Sequence, residues 1–202
     1  MKIRYKLKWR FRKVAAIVRY IIGSYKYDSK RYLESFLYLS NKLSIQKRKS
    51  DIDKVIYCFW TGNNPLSKNR KLCLRTIEKN SMVKVVYIKS NSPLHPAYEY
   101  LFLVHKSDYL RCYFMHHYGG GYTDIKKCRN SWVTAFNLIN LNVDKWALGY
   151  REVSEGGVVS LPGALGRDLK LNYISLIGNG GYIFQADTPF TCEWLTELGL
   201  IF

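Results

Sequence analysis

The chain has 202 residues, 48% of them hydrophobic, with 32 Lys and Arg against 15 Asp and Glu for a formal charge of +17. Such a composition can bury one sizeable core and excludes a disordered or fibrous chain. The charge is uneven: residues 1–50 hold 15 Lys and Arg and two acids, Asp28 and Glu34, so +13 of it sits there and only +4 in residues 51–202.

The first predicted element is a basic leader, MKIRYKLKWRFRKVAAIVRYIIGSYKY. Helical spacing puts Tyr5, Trp9, Ala16 and Tyr20 with Leu7, Val14, Val18 and Ile21 on broad apolar strips edged by Lys and Arg. Arg19 interrupts the apolar stretch, which falls short of the ~20 residues a spanning helix needs, and no small-residue cleavage site follows. Lys and Arg stems beside Trp and Tyr suit a helix lying on an anionic membrane surface; the alternative is a solvated basic helix packed on its own domain. A second helix is expected from Ser29 to Leu43, ending in the polar run QKRKSDID, which marks the boundary between a basic helical extension (1–50) and the main domain (51–202). Nucleic-acid binding is disfavoured, because no basic patch interleaved with aromatics recurs in the body.

From Lys54 onward strands and helices alternate. VIYCFW is a continuous apolar run suited to a buried parallel strand, TGNNP a turn, Leu66–Lys79 a helix and Val83–Ile88 a second strand. After the loop NSPLHP, Pro96 opens a helix running to about Val104, and Ser107 caps a further helix ending at Tyr118, before Gly119–Gly121. Tyr122–Ile125 reads as a short strand and Trp132–Leu141 as a helix; WALGYRE, ISLIG and GYIFQAD read as three more strands, and Pro189 opens the last helix. The stretch GGVVSLPGALG reads as a loop fit to serve as a lid or acceptor loop, and Asn179–Gly181 as a tight polar turn. The pattern predicts an α/β sandwich with its site at the carboxyl ends of the strands. Five widely spaced cysteines without a C-x-x-C pair argue against a disulfide framework or zinc site and for small buried residues in a reducing compartment.

The informative stretch is SDYLRCYFMHHYGGGYTDIK, residues 107–126. Asp108 and Arg111 lie three apart on one helix face, the glycines allow a sharp turn and close approach, and a strand would deliver Tyr122 and Asp124 to one face. An acid, a base, an aromatic and a second acid would then converge beside a glycine hinge, which suits a polyhydroxylated, phosphorylated ligand. An ordinary surface ion pair and an ordinary glycine loop are the plain alternatives. His116 and His117 are adjacent, point to different helix faces and read as structural rather than metal-chelating.

This segment resembles the S-D-x-x-R…G-G-x-Y-x-D-x-D signature of DXD-type glycosyltransferases, the sugar-binding region of glycosyltransferase family 32 and of capsular polysaccharide transferases. Ser107, Asp108, Arg111, Gly120, Gly121, Tyr122 and Asp124 carry the resemblance, which extends over roughly residues 54–198 and includes the upstream IYCFWTGNNP, similar to the family's opening strand and base-stacking turn. It implies a GT-A-like, Rossmann-like nucleotide-sugar fold and a retaining hexosyltransferase. Trp60 would stack on the donor base, with Gly62 in the same turn, and Asp108 and Arg111 would hydrogen-bond the donor sugar. Tyr122 would lie against the donor, Asp124 would contact ribose or sugar hydroxyls, and Asn179 would meet phosphate or acceptor through backbone amides. A Mn2+ or Mg2+ ion on the D-x-D acids, Asp124 among them, would stabilise the diphosphate leaving group.

Two departures stand out. Lys126 replaces the second acid; an ammonium repels a metal and can itself neutralise a phosphate, so metal-free catalysis, a metal held by other groups and an inert site are all open. The apolar ending Ile201–Phe202 suggests a domain incomplete at its C-terminus. The expected function is transfer of a sugar from a nucleotide diphosphate sugar to a surface-polysaccharide or lipid-linked acceptor, in the cytoplasm at the inner face of the membrane. The alternative is a catalytically impaired nucleotide-sugar or carbohydrate-binding protein.

Overall fold

The computed structural model describes residues 2–23, 50–89 and 98–201. The expected helix Ser29–Leu43 and the NSPLHP loop with Pro96 lie outside the described residues. Among the described residues the chain is α/β, with six α-helices and a mixed five-stranded sheet. In chain order these are α1 (Lys2–Ile22), β1 (Val55–Phe59), α2 (Lys68–Asn80), β2 (Lys84–Ile88), α3 (Leu103–His117) and β3 (Gly120–Thr123). There follow α4 (Val133–Leu141), β4 (Ala147–Arg151), α5 (Gly163–Leu171), β5 (Ile177–Phe184) and α6 (Pro189–Ile201). The strands run in the order β2-β1-β3-β5-β4, with β1 parallel to β2 and β3 and with β3 antiparallel to β5.

Contacts group the chain into two compact units, one of Met1–Lys42 and Gly149–Asn179, the other of Leu43–Leu148 and Gly180–Phe202. Two of the joins fall inside β4 and β5, where no turn signal marks them.

The larger unit is built on alternation in β1. Ile56 and Cys58 point to one face, where they pack with Ile77 of α2, Phe136 and Ile139 of α4, Ile125 and Ile183. Phe59 points to the other, with Tyr109, Leu110 and Met115 of α3, Tyr122 and Tyr182, and against these sit Phe190 and Trp194 of α6. Both faces of the strand are therefore covered, as its continuous apolar sequence requires. Burial pushes the Cys58 thiol up to about 12, so it sits in the core as a neutral, inert group.

In the other unit α1 packs on the 3₁₀ turn Tyr173–Ser175. Ala16 is buried, Arg12 pairs with Glu155 at 2.5 Å, and Tyr20 receives a hydrogen bond from Arg151 (2.7 Å), whose guanidinium lies 4.3 Å from the Tyr20 ring. Positions 12, 16 and 20 form one helical row, so this face is the anchored one. Phe11, Val14, Val18 and Ile21, on the opposite side by helical geometry, are exposed. No helix among the described residues is long and apolar enough to cross a membrane.

Several local expectations are corrected. β1 ends at Phe59 and leaves Trp60 in the turn. Instead of two helices meeting near Ser107 there is one, α3, and Ser107 lies in its interior; the cap position is Phe102, and Thr61 Oγ1 donates to the Leu103 carbonyl (2.8 Å) at the helix start. β3 starts at Gly120 and ends at Thr123, before Asp124 and Ile125. ISLIG and GYIFQAD do not form two strands: Tyr173–Ser175 is a 3₁₀ turn, and β5 runs unbroken through Asn179–Gly181, with β3 pairing it from Gly181 to Phe184. The GALG part of the expected loop is the first turn of α5.

Candidate functional site

The site follows from topology. From β1 the chain crosses through α2 to β2 on one side, then returns through α3 to β3 on the other. Parallel neighbours whose connections leave in opposite directions open a crevice beyond their carboxyl ends. There an open pocket of about 530 Å³ is lined by Phe59 at the end of β1, Trp60 to Gly62 and Asn64 after it, Tyr122 and Asp124 to Lys126 around the end of β3, Leu103, Val104, Ser107 and Arg111 of α3, and Arg70 of α2.

Its centre is Asp124. Tyr122 and Asp124, two apart, lie on the same side of the chain, and the Tyr122 hydroxyl donates to Asp124 Oδ1 at 2.6 Å. Asp124 Oδ2 lies 2.7 Å from Lys126 Nζ. Burial is the main cause pushing the Tyr122 hydroxyl up, and the neighbouring Asp124 carboxylate adds to it against the opposing pull of Arg111. The phenol therefore remains a proton donor through the neutral and mildly alkaline range. Its ring stacks on Phe59 at 5.6 Å, and the Arg111 guanidinium lies over it at 5.2 Å. Arg111, with an 11% exposed side chain, is ion-paired with Asp108 one helical turn back. The same guanidinium opposes the rise that burial imposes on the Tyr182 hydroxyl.

Trp60 lines the pocket with its indole fixed: Nε1 donates to the Asn64 carbonyl (2.8 Å), and its backbone N–H donates to the Ile88 carbonyl (2.9 Å). Gly62 is buried in the same turn, and a Cβ there would meet the Asn64 side chain and approach Leu103. Arg70 is the lining cation that the sequence reading missed. Its guanidinium donates to the carbonyl of Ile125, the residue between Asp124 and Lys126. A signal was present: α2 begins Lys-Asn-Arg-Lys with no acid in its first turn, the reverse of what the positive end of a helix dipole favours.

Other expected site residues lie elsewhere. Asp108 does not line the pocket; it holds Arg111. Gly120 and Gly121 do not line it either, and the reason is steric. A Cβ on Gly120 would sit 2.8 Å from Val55 Cγ1 and 3.0 Å from its carbonyl, and one on Gly121 would press on Ile56 and Trp132. Counting back from Tyr122, the signature's paired glycines fall on Gly119 and Gly120, both at positive φ (63° and 87°), whereas Gly121 has ordinary strand geometry. Asn179 is an exposed strand residue of the other unit. His116, half-buried on α3, is held near Thr191 and its pKa is lowered, chiefly by burial; neither it nor His117 lines the pocket.

Residues 36–131 match the family model described as the glycosyltransferase sugar-binding region containing DXD motif. No curated protein and no solved structure matches the chain. All the pocket-lining residues fall within the matched segment, so the similarity and the geometry converge on one crevice. Together they support a glycosyltransferase-like or sugar-binding role, with a nucleotide-sugar donor and a glycan acceptor as the partners that the family implies.

That family commonly uses a divalent metal. The residues around Asp124 do not fit one. Its carboxylate oxygens already face the Tyr122 hydroxyl and the Lys126 ammonium, and no group of three or more metal-ligating side chains converges among the described residues.

Proposed function

We propose that this protein is a GT-A-type glycosyltransferase that binds a nucleotide diphosphate sugar in the crevice between β1 and β3 and passes the sugar to a glycan or lipid-linked acceptor of the capsular-polysaccharide kind. The observation that carries this reading is the composition of the pocket at the topological switch point. Phe59, Trp60 and Tyr122 make the lining aromatic, and its charged groups are three cations (Arg70, Arg111, Lys126) against one lining acid, Asp124. An aromatic lining suits a nucleobase, the excess of positive charge a diphosphate, and a fixed carboxylate the hydroxyls of a ribose or sugar. In the reaction the anomeric C–O bond to the β-phosphate breaks, its electron pair staying on the leaving phosphate. The acceptor oxygen forms the new bond and gives its proton to an oxygen of the leaving phosphate. Negative charge grows on the diphosphate, where the pocket cations lie. Retention at the anomeric carbon is the stereochemistry that the resemblance implies.

A thermal-shift panel of UDP-, GDP- and CMP-sugars, with and without Mn2+, tests the reading, since a ligand selective for the folded state raises its melting temperature. A nucleotide diphosphate sugar should shift it and be hydrolysed or transferred. Binding without turnover would favour the impaired, sugar-binding alternative.

The place of action belongs to the same proposal. With Arg12, Ala16 and Tyr20 occupied by their own unit, α1 leaves Phe11, Val14, Val18 and Ile21 exposed beside Arg10, Lys13 and Arg19. An apolar ridge with basic flanks matches an anionic membrane surface, which would put the enzyme at the inner face of the membrane. The triple substitution Val14→Ser, Val18→Ser, Ile21→Ser spares the anchoring row and should abolish co-sedimentation with anionic vesicles. Unchanged co-sedimentation would refute the membrane role.

A further inference from the structure

The pocket disagrees with its own family about charge, and the disagreement is specific. Where the signature has a second acid, Lys126 Nζ sits 2.7 Å from Asp124 Oδ2. Its side chain is 65% exposed, so a ligand entering the pocket can reach the ammonium. On the neighbouring carbonyl, that of Ile125, sits the Arg70 guanidinium, brought there by the first turn of α2. With Arg111 the lining side chains carry three positive charges and one negative; Asp108, off the lining, pairs with Arg111, so the uncompensated charge is that of Arg70 and Lys126 beside Asp124. A divalent cation placed beside Asp124 would meet net positive charge, and a diphosphate would meet its complement.

We infer that Lys126 and Arg70 together supply the counter-charge for the donor diphosphate, so that nucleotide binding requires no divalent metal. The inference rests on the nucleotide-sugar reading above and deepens it. The two cations suit different parts of the task. A guanidinium presents a planar fork that can hold two phosphate oxygens, whereas an ammonium is a compact point charge. Their anchors position them: Ile125 O holds Arg70 and Asp124 holds Lys126, and these acceptors belong to consecutive residues just after β3. Asp124 then acts less as a metal ligand than as the group that orients the ammonium, itself oriented by the Tyr122 hydroxyl.

The test is calorimetric titration of the full chain with UDP and with GDP, in EDTA and in Mn2+. The expected result is binding of at least one nucleotide with the same affinity in both conditions, weakened by added NaCl. Arg70→Ala and Lys126→Ala should each weaken it roughly tenfold, the scale of a lost charge-assisted hydrogen bond. Lys126→Arg should keep most of the affinity. Lys126→Asp, which restores the family acid, should lose binding in EDTA and regain it with Mn2+. Both cations lie at the surface of the pocket, and circular dichroism checks that the variants remain folded. Wild-type binding that appears only with Mn2+, or alanine variants that bind like wild type, would overturn the inference while leaving the nucleotide reading intact. Absence of UDP and GDP binding in both conditions would overturn that reading, and the inference with it.

Discussion

Gly119–Gly121 and Tyr122–Lys126 are adjacent and belong to one signature, yet they face different things. The glycines face protein: Cβ atoms on Gly119 and Gly120 would collide with the Ala186 backbone nitrogen and with Val55. Tyr122, Asp124 and Lys126 face the pocket and one another. The first half of the motif lets β3 press between β1 and β5; the second half uses the position so created to hold a carboxylate and an ammonium at the strand's carboxyl end. A motif can thus be read as one string while its parts answer to different physics, packing in one and ligand electrostatics in the other.

Substitutions should separate the two halves. The largest effect is expected at Gly120. Alanine there combines a strained φ of 87° with contacts of 2.8 Å to the Val55 side chain and 3.0 Å to its carbonyl. Gly120→Ala should lower unfolding stability by about 3 kcal/mol, the sum of ordinary strain and overpacking costs. Urea denaturation measures it, and a loss below about 1 kcal/mol would show that the site relaxes easily and that the packing account is wrong. Asp124→Asn should show the opposite profile. The amide oxygen can still accept from Tyr122, so the unfolding midpoint should hold, while loss of the charge that holds Lys126 should cut donor turnover at least roughly tenfold. Normal turnover would remove Asp124 from the site. Tyr122→Phe gives the smallest effect and sharpens the boundary between the halves. The ring keeps its places beside Phe59 and Arg111 but loses the 2.6 Å hydrogen bond to Asp124. Donor affinity should fall by several-fold, about 1 kcal/mol, read by titration against wild type. A stability loss with unchanged affinity would place Tyr122 with the glycines instead.

Much of this was legible in the sequence, because local rules and the final structure agree there. The apolar run of β1, Pro189 at the start of α6, and the spacing that brings the Tyr122 hydroxyl to Asp124 need only periodicity and local propensity to be seen. Other features answer to partners distant in sequence. Ser107 has the chemistry of a cap but sits inside α3, because the helix begins earlier, where the turn after β1 meets it through Thr61 and Leu103. Asn179–Gly181 has the composition of a turn but lies within β5, which β3 pairs from Gly181 onward and whose Gly180 carbonyl accepts from Asp124 N–H. Arg70 joins Lys126 only because α2 and the residues after β3 come together at one end of the sheet. The sequence by itself determined which residues can carry charge, stack or turn, since these are properties of single side chains and short spacings. Which of them share a pocket was decided by tertiary structure alone: convergence depends on strand order and on where each crossover returns, and neither is encoded within a turn's length of any one residue.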